Sequence, residues 1–105
     1  MILSIVVTVF NRWNYTKSCI TDLAQLSEDH ELIIIDNNST DETNKEIIPL
    51  FDSLSYKYPS RCKLSYIKKD KNFFHSHSCN EGYLHSKSNN VLFLNNDIRI
   101  KNNHD

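Results

Sequence analysis

The apolar residues of this chain fall into four short runs: "LSIVVTVF" (3–10), "ELIIID" (31–36), "KLSYIK" (63–68) and "VLFLNN" (91–96). Within them, residues 5–7, 32–35 and 91–94 are continuous and β-branched or aromatic. That is the pattern of central parallel strands covered on both faces. The third run alternates, Leu64 and Tyr66 against Ser65 and Lys68, as an edge strand does. Helical periodicity fills the gaps. Residues 14–26 set Cys19, Ile20, Leu23, Ala24 and Leu26 along one side, with Asn14 as the predicted N-cap. Residues 40–54 start with "STDET", where Ser39 and Glu42 have capping-box spacing and Asp41 adds negative charge to the first turn. Ile47, Ile48, Phe51 and Leu54 then form a stripe, and Pro49 inside it predicts a kink or a split. Residues 76–88 form a third helix, with Cys79, Tyr83 and Leu84 predicted to face inward.

The order β-α-β-α-β-α-β implies a parallel sheet with right-handed crossover helices on both faces. The Rossmann-like, doubly wound solution has strand order 3-2-1-4. It sets the first and fourth strands side by side where the winding reverses. Ligands of such sheets bind beyond the carboxyl ends of the strands at that point. "TVFNR" (8–12) and "LNND" (94–97) should therefore line one crevice, with "DNNST" (36–40) on its rim.

Composition narrows the class. The 105 residues make a single domain, 1–105, with ordinary apolar (39%) and charged (24%) fractions. Net charge is −1, so no basic field exists to hold a nucleic acid. Cys19, Cys62 and Cys79 are odd in number and lack CxxC spacing. They read as free, small buried hydrophobes in a reducing, cytoplasmic setting. The apolar stretch Ile2–Phe10 is too short to span a bilayer, and no other stretch approaches that length.

Several polar groups should converge at the crevice. Asp36 and Asp97 are carboxylates at strand ends, and Asn11, Asn37, Asn38, Asn95 and Asn96 offer paired donors and acceptors. Thr8 interrupts an apolar strand. Arg12 adds fixed positive charge, although it reads first as a surface residue. A carboxylate with neighbouring amide oxygens and a diphosphate suits Mg²⁺ or Mn²⁺. The chain has one glycine, Gly82, which removes both the P-loop and the dinucleotide fingerprint. His77, Glu81 and His85 recur every four residues, as zinc ligands can, but such spacing is ordinary on a solvated helix face.

Four segments resemble the family 2 glycosyltransferases of the GT-A fold. "SIVVTVFNR" is similar to their opening strand, and "LIIIDNNSTDET" to their D-x-x-S-x-D-x-T signature. "NFFHSHSCNEGYLHS" (72–86) matches N-x-G-x-x-x-A-x-N-x-G through Asn72, Asn80 and Gly82. "VLFLNND" resembles the strand ending in their D-x-D metal motif, here in an N-N-D form. The resemblance implies a nucleoside-diphosphate sugar donor, with UDP or dTDP the expected nucleotide, and a divalent cation. It implies that Thr8, Val9 and Asn11 border the nucleotide, and that Asp36 contacts a base, usually uracil or thymine. Ser39 and Asp41 would shape the second loop. Asn72 would lie on the nucleotide side of the third loop, and Asn95 near the ribose beside Asn96. Asp97 would be the metal carboxylate.

Two departures stand out. Phe74 occupies the position of the motif's first glycine. Family members also continue for at least as many residues again, with the acceptor site, the general base for inverting transfer and further strands. No residue of this chain is a candidate for that base. The expectation is therefore the donor-binding half of a truncated GT-A domain, with an exposed face that favours self-association. The competing expectation is a non-catalytic α/β module acting in assembly or regulation.

Overall fold

The computed structural model describes residues 2–59, 62–72 and 75–97. The elements are β1 (Leu3–Val9), α1 (Trp13–Ala24), β2 (His30–Asp36), α2 (Thr43–Lys57), β3 (Cys62–Lys68), α3 (His75–His85) and β4 (Val91–Asn95). All strand pairs are parallel and the sheet order is β3-β2-β1-β4, as the sequence pattern predicts. Val9 pairs with Asp36 across β1 and β2, and Thr8 with Asn95 across β1 and β4. The exits of these three strands are thereby aligned at one end of the sheet.

Alternation in the strands divides the core. Ile5, Val7 and Val9 face one side with Leu32 and Ile34. There α1 and α2 cover them with Cys19, Ile20, Leu23, Ile47, Phe51 and Leu54. Val6, Ile33 and Ile35 face the other side, where α3 lies. Burial of these β-branched side chains on both faces of β1 and β2 is the main source of stability. At the amino end of the sheet, buried Glu31 accepts hydrogen bonds from the Ser4 hydroxyl (2.5 Å) and the Lys87 N–H (2.7 Å). These bonds tie the α3–β4 connection to the sheet, at the end away from the crevice.

Several expectations are corrected. Helix α1 starts at Trp13, one residue before the predicted cap Asn14, and its N-cap position is Arg12 in the left-handed region. Its first N–H, from Trp13, is taken by Asp41 of a different loop (3.1 Å). The Ser39–Glu42 capping box does not form. Glu42 occupies the N-cap position without a side-chain bond, because the Ser39 hydroxyl is engaged by Asn11 and Asp36. Pro49 does not split α2, which runs unbroken from Thr43 to Lys57. Lys45, the residue four before it, is exposed along with Pro49, so the carbonyl that loses its partner lies on the solvent side.

Helix α3 is turned from its predicted orientation. Tyr83 and Leu84 are 56% and 74% exposed, and Cys79 is only half-buried, while Ser78 and Gly82 face the sheet. The reason is spacing. An ideal Cβ on Gly82 would stand 2.2 Å from Val6 Cγ1 and 2.9 Å from Cγ2. The helix approaches β1 too closely for a larger side chain. Strand β4, expected to be central, is an edge among the described residues, and Leu92 and Phe93 are 42% and 41% exposed. No helix among the described residues is long and apolar enough to cross a membrane.

Gly82→Ala should destabilise the fold by about 1–3 kcal/mol through overpacking, despite the better helix propensity of alanine. Denaturant titration measures this. Adding Val6→Ala should recover part of the loss, so that the double variant is more stable than the summed single effects.

Candidate functional site

The chain leaves β1 by a sharp reversal. Asn11 and Arg12 have φ of 56° and 58°, and in the next loop Asn38 has 69°. Asparagine tolerates this region, but a long side chain such as that of Arg12 costs about 1–2 kcal/mol there. A hydrogen-bond clamp holds the reversal. Asn11 Oδ1 accepts the N–H groups of Thr40 (2.7 Å) and Asp41 (3.1 Å), and the Asn11 N–H donates to Ser39 Oγ (2.8 Å). Ser39 in turn donates to Asp36 Oδ1 from its hydroxyl (2.6 Å) and its N–H (2.9 Å). The fourth-strand loop joins through Asn96, whose Nδ2 donates to Asn11 O (3.2 Å) and Thr16 Oγ1 (3.0 Å). Three loops thus form one unit.

Between them opens a cleft of about 300 Å³, lined by Thr8, Val9, Phe10, Arg12, Asn37, Asn72, Asn95, Asn96 and Asp97. Six of the nine site residues named from the sequence line it: Thr8, Val9, Asn72, Asn95, Asn96 and Asp97. The other three, Asn11, Asp36 and Ser39, lie behind the wall as the clamp. Asp36 is fully buried, and Tyr66 donates to its Oδ2 (2.5 Å) while Ser39 holds Oδ1. Burial, together with the bond to Asp36 and the charges of Asp36 and Asp41, pushes the Tyr66 hydroxyl well above its ordinary value, so it remains a donor. Asp36 in this arrangement shapes the rim.

Three further residues line the cleft: Arg12 and Asn37, which the sequence places among the crevice's polar groups without a specific role, and Phe10, which carries no expectation of its own. All three fall within "TVFNR" and "DNNST", the segments that the topology sends to the crevice. Position in those segments was the available signal. Arg12 lines the cleft, and its guanidinium carbon lies 5.9 Å from the Tyr15 ring centroid. The Lys69 ammonium is bound to Glu81.

Asp97 is the one carboxylate among the described lining residues. No cluster of three His, Cys, Asp or Glu groups that could hold a metal exists among the described residues. This donor set does not fit an all-protein metal cage. It does fit a hard cation shared with a ligand, in which one carboxylate and phosphate oxygens complete the shell. Neither half-buried cysteine lines the cleft, and burial pushes the Cys62 thiol up to about 12 and raises that of Cys79 as well.

The chain belongs to glycosyl transferase family 2, whose family model matches residues 4–104. Two solved structures share its fold. The crystal structure of S. aureus TarS aligns with a TM-score of 0.71 at 21% identity, covering 92% of this chain and 17% of that one. The mannosyltransferase PcManGT from Pyrobaculum calidifontis, in complex with GDP-Man and Mn²⁺, aligns with a TM-score of 0.77 at 15% identity, covering 92% and 28%. The chain therefore spans less than a third of the length of either. No curated protein matches it.

Asp41 links two helix starts, accepting from Trp13 N–H through Oδ2 (3.1 Å) and from Thr43 N–H through Oδ1 (3.0 Å). Burial raises its carboxyl, but the hydrogen bonds from Thr43 and Trp13 outweigh this and hold it below the usual 3.8. Asp41→Ala should cost about 1–3 kcal/mol, since two helix starts lose their acceptor. Because the folded-state value is depressed, the contribution is complete above the ordinary carboxylate range. It is lost as pH falls through the folded value. Urea melts of both proteins at several pH values should therefore show the gap between them closing toward strong acid.

Proposed function

We propose that this chain forms the donor-binding part of a glycosyltransferase that moves a sugar from a nucleoside diphosphate to an acceptor, with inversion at the anomeric carbon. The observation that carries this reading is the alignment of the β1 and β4 exits. The pairing of Thr8 with Asn95 and the bond from Asn96 to Asn11 bring Asp97 into the same cleft as Thr8, Asn37 and Asn72. A nucleotide laid across the strand ends would meet neutral donors and acceptors over most of its length and one carboxylate at the β4 end.

Asp97, with the amide oxygens nearby, would hold Mn²⁺ or Mg²⁺. Bound there, the cation supplies charge neutralisation to the diphosphate as leaving group. Arg12 adds a fixed positive charge at the same cleft. Thr8 and Asn95 would border the ribose. Asn72 would close the nucleotide side from the third loop. Asn11, Ser39 and Asp36 would act by position, holding the loops in the geometry that the ligand needs. The structure of PcManGT with GDP-Man and Mn²⁺ supports a nucleotide-sugar and metal partner for a domain of this fold. The acceptor and the general base are not assigned to residues of this chain.

Calorimetric titration with UDP, dTDP and GDP should show binding in the millimolar range or tighter, strengthened by Mn²⁺. Asp97→Asn should remove the Mn²⁺ enhancement, weakening nucleotide binding about tenfold or more in its presence, with the thermal melting point unchanged. A folded wild-type sample that gives no heat with any of the three at millimolar concentration would sink the proposal.

A further inference from the structure

Asn37 lines the cleft although only 5% of its surface is exposed. Its backbone N–H donates to Val9 O (2.8 Å), which fixes the residue against the end of β1. Its side-chain Oδ1 accepts a 2.6 Å hydrogen bond from the hydroxyl of Ser78, which is fully buried on α3. An asparagine amide has one accepting end and one donating end. With Oδ1 committed to Ser78, the Nδ2 end is the one turned to the cleft. It is not among the buried side-chain atoms that lack a partner.

We infer that Ser78 is a positioning residue. It fixes the Asn37 amide so that the cleft presents a hydrogen-bond donor, and this donor selects a nucleobase bearing a carbonyl oxygen. The inference rests on the donor-binding reading of the cleft. Asn37 follows β2, whereas Asp97 follows β4, with β1 between them. Two strand spacings, about 10 Å, separate those exits. That is roughly the reach of a nucleoside from its phosphates to its base. A ligand with its diphosphate near Asp97 therefore brings its base to Asn37. Uracil, thymine and guanine carry carbonyl oxygens, whereas adenine has none. A buried donor held in one orientation discriminates more sharply than one free to turn, because the wrong base leaves it unpaired.

The test is calorimetric binding of UDP, GDP and ADP with Mn²⁺ to the full chain and to Ser78→Ala, Asn37→Ala, Asn37→Asp and the Ser78→Ala/Asn37→Ala pair, each checked for folding by circular dichroism. Wild type should bind UDP and GDP about tenfold more tightly than ADP. Ser78→Ala should weaken UDP about five- to tenfold and leave ADP unchanged. Asn37→Asp keeps the shape and replaces the donor with an acceptor, so it should lose UDP at least as strongly. In the Asn37→Ala background, Ser78→Ala should have no further effect, since its action passes through the amide.

Undiminished UDP binding by Ser78→Ala or by Asn37→Asp overturns the inference. So does a Ser78→Ala loss of equal size in the Asn37→Ala background, which would mark Ser78 as a packing residue only. If wild type binds none of the nucleotides, the donor-binding reading fails first. The side-chain amide resonances of Asn37 then decide: no change on Ser78→Ala overturns the fixed orientation, and a clear shift upholds it.

Discussion

The loops at the carboxyl end of the sheet depend on the hydrogen bonds that the N–H groups of Thr40 and Asp41 donate to Asn11 Oδ1. Parallel strands must end in loops whose backbone groups lose their ladder partners, and here they do so beside a buried core. Thr40 is exposed and Asp41 half-buried, so water could take their N–H groups; what an internal acceptor adds is a fixed loop position, at about 0.5–1.5 kcal/mol net per bond. One side chain does this for two residues of a neighbouring loop. Its own N–H is taken by Ser39, which Asp36 holds in turn. The cleft is the space left between loops joined in this way, so its shape follows from the clamp.

At these loops asparagine takes positions that glycine often fills, in a chain with a single glycine. Turns after parallel strands commonly require positive φ, and glycine usually supplies it. Here Asn11 and Asn38 adopt left-handed backbone conformations instead. An asparagine in that role also contributes a side-chain amide. Asn11 uses it to bind the next loop, and Asn96 uses its own to bind Asn11 and Thr16. What glycine gives in freedom, these residues replace with fixed polar contacts. The result is a cleft of about 300 Å³ built without a glycine-rich loop.

The sheet order was legible in the sequence because strand burial is a strong signal: continuous runs such as "LIIID" have one stable environment, between helices. The crevice segments followed from topology alone. Of the lining residues, Asn72 is legible through the motif resemblance, and five, Thr8, Val9, Asn95, Asn96 and Asp97, because they fall in segments at strand exits. Asn11, Asp36 and Ser39 fall there too, yet a sequence cannot show whether a polar group at an exit faces the ligand or the neighbouring loop. Both uses need the same residue types. Capping failed for a related reason. Asn14 and Ser39 have good local spacing, but Asp41 reaches α1 from another loop, and tertiary contacts of that kind leave no local pattern. The inward face of α3 is not legible from apolar character, because its close packing on β1 places small residues there instead.

The close packing of α3 bears on the site. Gly82 lets α3 settle against Val6, and the same face of the helix, one turn earlier, carries Ser78 to Asn37. Residues 78 and 82 are four apart and therefore share a face. The register that buries Tyr83 and Leu84 would turn Ser78 away from the sheet, leaving the Asn37 oxygen buried without a donor. Core packing and cleft polarity are therefore not independent choices in this fold. The smallest side chain on α3 fixes the helix height, and the helix height fixes which end of an asparagine amide the cleft displays.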